Sequence, residues 1–387
     1  MVKRTALAAL LLLALVFALP YAWGPVYEFP AATPFAGAQL YNPYTTPTPR
    51  WQRANFHAHG SAWLGLTNGR QSDAEVAQRY RDLGYDVAGV SNYHHIAALD
   101  GVDAFPVYEH GFSIGKYHQL AIGARRVEWF DFPLWQSLSH RQFVLDRVHG
   151  SADLVSLNHP DSRGAYGRGA LRYLAGYELI ELLNGPFVAE AIWDEALSSG
   201  HAVWAVGNDD THDLEDPKRT ARAWTMVDAP SADQPHVIDA LRAGHSYAVL
   251  RTGAMSAWEA TRLARVEVAG ETVHAAFDGA AGRITFVGQD GVVRAAVDHA
   301  TEASYTLTPE DTYIRTVVHT NDSVLFLNPV LRWDGQDLPA RHAAIDTAQT
   351  WTFRGALAAL GLGLIVRRRL RPTVATATRP GAVAPGK

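Results

Sequence analysis

Two histidines, His57 and His59, stand one residue apart in the stretch NFHAHG. On an extended strand, residues two apart share a face, so both imidazoles can grip one cation. The same spacing returns in AVWAVGNDDTH, where Asp210 and His212 follow an apolar run. A third run, LVSLNHP, ends on His159. Between them, VYEHGFSIGKYHQLAIG carries Glu109 and His118 on either side of a turn. A carboxylate among imidazoles suits bridging two cations, one oxygen to each, and the neighbouring His110 is the alternative donor. Nitrogen and oxygen donors without sulfur suit Mn, Fe or Zn. The chain has no cysteine, which excludes thiolate ligands, disulfides and a cysteine nucleophile.

These side chains need a scaffold that brings them together. From Trp51 to about Gly253 the pattern alternates strand and helix. Ser72 and Glu75 have the spacing of a capping box. Val76, Ala77, Tyr80 and Leu83 continue as a helical stripe, and Gly84 fits the position just past the helix end. Residues 85–91, 118–122, 154–158, 177–183 and 201–207 read as short apolar strands, and 187–199 as a helix. Strand–helix–strand at these lengths implies an α/β fold with a parallel sheet, open or closed into a barrel. In such a fold the C-terminal strand ends meet on one face. His159, Asp210 and His212 all lie just past strand ends, so a shared metal site is the economical account. From about Ala264 to Trp333 the runs become short and alternating, split by Gly, Asp and Asn turns. That segment predicts a small all-β module of sandwich type, with a boundary at 253–263.

The ends differ from the middle. Lys3 and Arg4 precede an uncharged run over 5–27, rich in Leu and Ala, which reads as a signal peptide or a membrane anchor. Residues 28–50 carry five prolines and read as an extended linker. Residues 348–371 form a second candidate membrane segment, closed by the basic cluster RRRLR at 367–371. Residues 372–387 are Pro-, Ala- and Thr-rich and read as disordered. Basic residues flanking both apolar runs place the middle of the chain outside the cytoplasm, tethered or secreted. The formal net charge of −5 offers no basic field for nucleic acid.

The order HxH, an acid-His motif after a Gly-Tyr-Asp strand, Glu109, His118, His159-Pro160 and Asp210-x-His212 resembles the polymerase and histidinol phosphatase (PHP) family over 51–255, roughly half the chain. RAGHSYAVLRTG is similar to that family's closing segment, and the β module over 264–340 resembles one found after the catalytic domain in secreted metallohydrolase members. The resemblance implies a distorted (β/α)7 barrel holding two or three divalent ions, and a phosphoesterase activity. Carried over by motif, His57, His59, Glu109 and Asp210 bind one ion, and Glu109, His118 and His159 bind a second. His212 belongs to a third site. The chain departs from the family at Asn55, at Asn68-Gly69 and at Ser91-Asn92-Tyr93. Tyr93 falls where the third-site His stands, and His94 replaces it if the loop bulges by one residue.

Two ions of this kind lower the pKa of water to about 7 and clamp a phosphoryl group, so no side-chain nucleophile is required. The groups expected to act in catalysis are Glu109, Asp210 and Asp161, the last orienting His159 or a water. Arg163 and Arg168, in DSRGAYGRG, are candidates for phosphate oxygens, with Lys116 and Lys218 behind them. The substrate expected is a small phosphate ester. Two further readings stay open: hydrolysis of an ester, carbamate or amide at the same metals, or a non-catalytic binding protein on a degenerate barrel.

Overall fold

A computed structural model describes residues 2–46, 48–99, 104–167, 169–254, 261–338 and 341–370. Within the first two thirds lie nine principal strands: β1 (Trp51–Asn55), β2 (Val87–Ala88), β3 (Val107–His110), β4 (Gln119–Ile122), β5 (Leu154–Leu157), β6 (Leu179–Asn184), β7 (Trp204–Asn208), β8 (Ala223–Asp228) and β9 (Ser246–Arg251). The helices are α1 (Val2–Trp23), α2 (Asp73–Asp82), α3 (Leu138–His149), α4 (Glu190–Ser198), α5 (Gln234–Arg242) and α6 (Thr347–Arg369).

Local chemistry explains the helix limits. The Ser72 hydroxyl accepts the Glu75 N–H while the Glu75 carboxylate accepts the Ser72 N–H, the reciprocal box read from the sequence. Val76, Ala77 and Tyr80 form the buried face of α2, and Gly84 follows at φ +78°. Ser137 caps α3 in the same way, with His140 replacing the usual acid. Asp233 caps α5, which buries Val237, Ile238 and Leu241. The apolar start expected at 187 for α4 is instead a two-residue strand, Phe187–Val188, that folds back on β6; the helix starts at Glu190.

The sheets are mixed rather than parallel. One sheet has the order β7-β6-β5-β4-β3, with β5–β6 and β6–β7 parallel and β3–β4–β5 antiparallel. The other contains β9-β8-β1-β2, of which only β1–β2 is parallel. Only eight residues, 111–118, join β3 to β4, too few for a parallel crossover. The expected barrel does not close by continuous pairing among the described residues. The two sheets abut and are stitched at one end by single bridges, Ala58 to Thr211 and Tyr93 to Glu109.

Between Arg262 and Trp333 the chain is built of strands, β10 (Arg262–Ala269), β11 (Thr272–Asp278), β12 (Gly282–Gly288), β13 (Val292–Ala300), β14 (Glu302–Thr306), β15 (Tyr313–His319), β16 (Ser323–Leu327) and β17 (Val330–Trp333). The main sheet of this segment is hydrogen-bonded to the first part: β16 runs antiparallel to β9, from Tyr247–Leu327 to Arg251–Ser323. A buried Arg315–Asp194 ion pair also ties β15 to α4, with Nε–Oδ1 and Nη2–Oδ2 at 2.8 and 2.7 Å.

Residues 28–46 are a strap rather than a free linker. Gln39–Tyr41 pairs with β17, Phe35 is buried, and the Tyr44 hydroxyl donates to Ser246 O and accepts the Asn328 N–H. The two end helices pack on each other, with the Arg354 guanidinium 5.0 Å over the Trp23 ring. No helix among the described residues is long and apolar enough to cross a membrane, so the spanning segments expected at both ends are not met. Pro20 lies within α1, and arginines at 354 and 367–369 bracket only twelve apolar positions in α6.

Candidate metal centre

The stitched end of the two sheets gathers the histidines. His57 and His59 follow β1, Glu109 lies within β3, His159 follows β5, and Asp210 and His212 follow β7. His118 precedes a strand instead, but β4 runs antiparallel to β3, so its start lies beside the end of β3. His159 and Asp210 adopt φ of 29° and 48°, a region uncommon for non-glycine residues, and both turn their side chains back into the cluster.

Glu109 is the hub. Its Oε1 lies 2.8 Å from His118 Nδ1 and 3.2 Å from His159 Nε2; its Oε2 lies 3.1 Å from His59 Nε2 and 3.4 Å from His57 Nε2. Asp210 Oδ1 lies 3.2 Å from both His57 Nε2 and His59 Nε2, and 3.4 Å from His212 Nε2. Three donor groups result: His57, His59 and Glu109; His59, Asp210 and His212; Glu109, His118 and His159. His57 Nε2 and His59 Nε2 approach to 3.1 Å, both aimed at the same two carboxylates. Glu109 Oε2 and Asp210 Oδ1 are buried and accept no hydrogen bond. Buried anionic oxygens without donors, facing converging imidazole nitrogens, fit divalent cations.

The electrostatics agree with that donor set. Burial alone raises Glu109, yet His118 and His57 beside it hold its carboxyl well below the usual range. Asp210 is likewise pulled well below its ordinary value, by His57, His212 and His59 against burial. Burial depresses His57, but Asp210, Glu181 and Glu109 outweigh it and raise the imidazole.

A second layer of buried groups orients the donors. Glu181 is fully buried on β6. Its Oε1 lies 2.7 Å from His57 Nδ1 and accepts from Asn208 Nδ2 at 3.1 Å; its Oε2 accepts the His159 N–H at 2.7 Å and Asn184 Nδ2 at 2.9 Å. The carboxylate holds the His57 proton on Nδ1 and leaves Nε2 free to ligate. Asn184 Nδ2 also reaches Asp210 Oδ2 at 3.1 Å, and Asn158 Nδ2 donates to Glu109 Oε1 at 3.2 Å. Nothing in the sequence pattern marked Glu181, which sits in the apolar run LIELLN.

Other expectations need correction. His94 does not join the cluster: its Nδ1 lies 3.0 Å from Glu128 O and its Nε2 accepts the Gly111 N–H. Burial against Trp129 lowers it to about 4. His110 is engaged by Gln119 Oε1 and Phe130 O, which removes it as the alternative to Glu109. Tyr93 occupies the place in question, its ring stacked 4.7 Å from that of His59. Asp161 makes no hydrogen bond to His159, whose Nδ1 has no partner; its side chain lines the mouth of the site. Arg163 is exposed and outside the cavity, and Arg168 lies outside the described residues.

The cavity over the donors measures about 400 Å3 and is lined by His159, Asp210 and His212 on its floor. Its walls include Asn68, Tyr93, Lys116 and Arg219, facing an apolar side made of Leu182, Phe187, Val188 and Ala189. Lys218 is not among the lining residues, whereas Arg219 is held there by Asn184 Oδ1 at 2.8 Å and lies 5.2 Å over the Phe187 ring. A larger groove of about 810 Å3 lies among residues 40–51 and 263–268, remote from the histidines.

No family model matches the chain, and no curated protein matches it. Among solved structures, it is similar to a two-domain protein from Bacteroides vulgatus described as containing a predicted PHP-like metal-dependent phosphoesterase. The match is 14% identical, covers 82% of this chain and 100% of the other, and has a TM-score of 0.39.

Proposed function

We propose that the chain is a metal-dependent phosphoesterase of PHP type that holds two divalent ions and hydrolyses a phosphate ester. One observation carries the reading: seven ligand-type side chains gather in three overlapping groups, in which Glu109 Oε2 and Asp210 Oδ1 are buried and accept no hydrogen bond. His57, His59, Glu109 and Asp210 would hold one ion; Glu109, His118 and His159 the second, with Glu109 shared. His212 completes the Asp210 side, and Tyr93 in place of a third-site ligand argues for two ions rather than three. When bound, such ions lower the pKa of water towards about 7 and offset the charge of phosphoryl oxygens.

The chain's own groups supply the remainder. Glu181 fixes the His57 tautomer, and Asn184 and Asn158 hold the two acids in place. Lys116 and Arg219 present cations to an anionic group entering the cavity. Burial raises the Tyr93 phenol, with Glu109 and Asp210 adding to the effect, so it stays protonated and can donate to a substrate oxygen. Asp161 lines the same cavity.

The test is metal content of the full chain, purified without chelator, beside a His57→Ala, His59→Ala double variant. The reading expects about two transition-metal ions per chain, lost in the variant, and hydrolysis of an aryl phosphate that inorganic phosphate inhibits. Failure to take up Mn, Fe or Zn would sink it in favour of a binding protein. Turnover of a carbamate or carboxylic ester with no sensitivity to phosphate would favour hydrolysis of another bond.

A further inference from the structure

The loops around the metal centre expose large apolar side chains at the end of the molecule where the site opens. Leu64 is wholly exposed, Leu66 is 88% exposed and Ile114 70% exposed. Trp63 and Leu64 hold φ of 53° and 57°, a left-handed backbone that such residues rarely adopt, so strain is retained to keep them outward. Isolated exposed leucines are ordinary on soluble surfaces; a connected apolar surface is not.

Here aromatic side chains lead from the site and, along the chain, to the end helices. Tyr93, stacked on His59, accepts the Trp63 indole N–H on its carbonyl at 2.8 Å. The Trp63 ring meets the exposed Trp129 at 5.6 Å. A few residues on, exposed Trp135 stacks on Tyr21 of α1 at 4.4 Å, and the Tyr21 hydroxyl accepts the backbone N–H groups of Leu134 and Trp135. From there α1 and α6 pack against each other, with apolar side chains such as Leu19, Leu360 and Leu364 more than half exposed. The far end of α6 carries the exposed Arg367, Arg368 and Arg369.

We propose that this surface seats on an anionic lipid bilayer, with the site mouth facing the headgroups, and that the phosphate ester it takes is carried on a lipid. Exposed tryptophan, leucine and isoleucine around the site and an exposed arginine cluster on α6 are the apolar and cationic groups that an anionic bilayer surface takes up. The apolar cavity wall at Phe187 and Val188 gives the lipid side of the ester a surface to lie against. The lipid-substrate half of the proposal rests on the phosphoesterase reading; the seating does not.

Because the chain has no cysteine, Leu64→Cys provides a single labelling site. The full-length variant, carrying a polarity-sensitive nitrobenzoxadiazole, is mixed with vesicles of phosphatidylcholine and phosphatidylglycerol containing nitroxide-tailed lipid. A blue shift and quenching are expected at this position, and neither at Asp239→Cys, which lies on α5 beside the strand starts. No response at Leu64→Cys overturns the seating. In the same vesicles, Leu64→Glu, Ile114→Glu is expected to lower turnover of phosphatidic acid by about 10-fold or more while leaving a soluble aryl phosphate unchanged. Equal effects on both substrates overturn the lipid substrate. Wild type that hydrolyses neither substrate while the probe responds overturns the phosphoesterase reading and upholds the seating.

Discussion

Replacing Glu181 by glutamine removes one negative charge from the layer behind the metal donors while nearly preserving volume. The carboxylate receives four donors: the ring N–H of His57 on Nδ1, the backbone N–H of His159, and the side-chain amides of Asn184 and Asn208. Glutamine has a single acceptor oxygen, so its own NH2 must face at least one of those donors. Loss of one hydrogen bond to a charged group amounts to roughly 1.5–3 kcal/mol. If that loss falls on the ligating geometry of His57, it weakens ion binding by a factor of roughly 10–150 at about 1.4 kcal/mol per tenfold. Groups that support metal-bound histidines characteristically contribute about 10–100-fold to affinity, the same range. The assay is competition for Mn or Zn against a chelating dye at fixed pH, with thermal unfolding run in parallel. The ion held by His57 should dissociate more easily in Glu181→Gln, while excess metal restores most of the activity. Unchanged affinity in a folded Glu181→Gln protein would refute the claim that this carboxylate prepares His57 as a ligand.

Three other outcomes are expected. Arg219→Ala should raise KM for an anionic substrate by about 10-fold or more with bound metal unchanged, read by steady-state kinetics and metal content. Asp194→Ala removes two bonds from the buried Arg315 guanidinium, leaving it Glu190 at 2.8 Å, and should cost about 1.5–3 kcal/mol in urea unfolding, the loss expected for hydrogen bonds to a charged group. Burial and the nearby Arg341 lower His201 to about 3, so its neutral form is the one the fold accepts. Its contribution is complete above the ordinary pKa of about 6.5 and is lost as pH falls from there towards 3. His201→Gln should therefore flatten the dependence of Tm on pH below 6; an identical slope would show that His201 is not buried neutral.

Much of the candidate site was legible because its donors recur at a two-residue spacing next to apolar runs. That spacing survives translation into structure: β1 and β7 end side by side, and the backbone N–H groups of His59 and Asp210 bond across to Thr211 O and His57 O. The capping box at Ser72 was legible for the same reason, since its chemistry is local. Glu181 was not, because an acid inside an apolar strand looks like any interruption until its partners from β1, β5 and β7 surround it. His94 misled because the position of a histidine in the chain does not say which atoms meet its nitrogens; two backbone groups claim both. Arg219 was hidden in a polar loop, DPKRT, where only the fold distinguishes it from Lys218. The seam between the α/β part and the β module was read as a boundary because the hydrophobic period changes there, while the pairing of β16 with β9 depends on contacts more than seventy positions apart that no period records.

The strap and the end helices carry a kinetic consequence. Tyr27–Glu28 pairs with Ala344–Ile345, and the Val26 N–H bonds to Thr350 Oγ1, a partner 324 positions later. At roughly 5–20 residues per second of synthesis, the first of these segments waits roughly 15–65 s for the second. The metal scaffold can assemble in that interval, but the fastening that holds α1 beside α6 cannot. Maturation of this protein is thus ordered from the inside outward, with the clasp as the final event, and agents that capture α1 early on the ribosome compete directly with its closure.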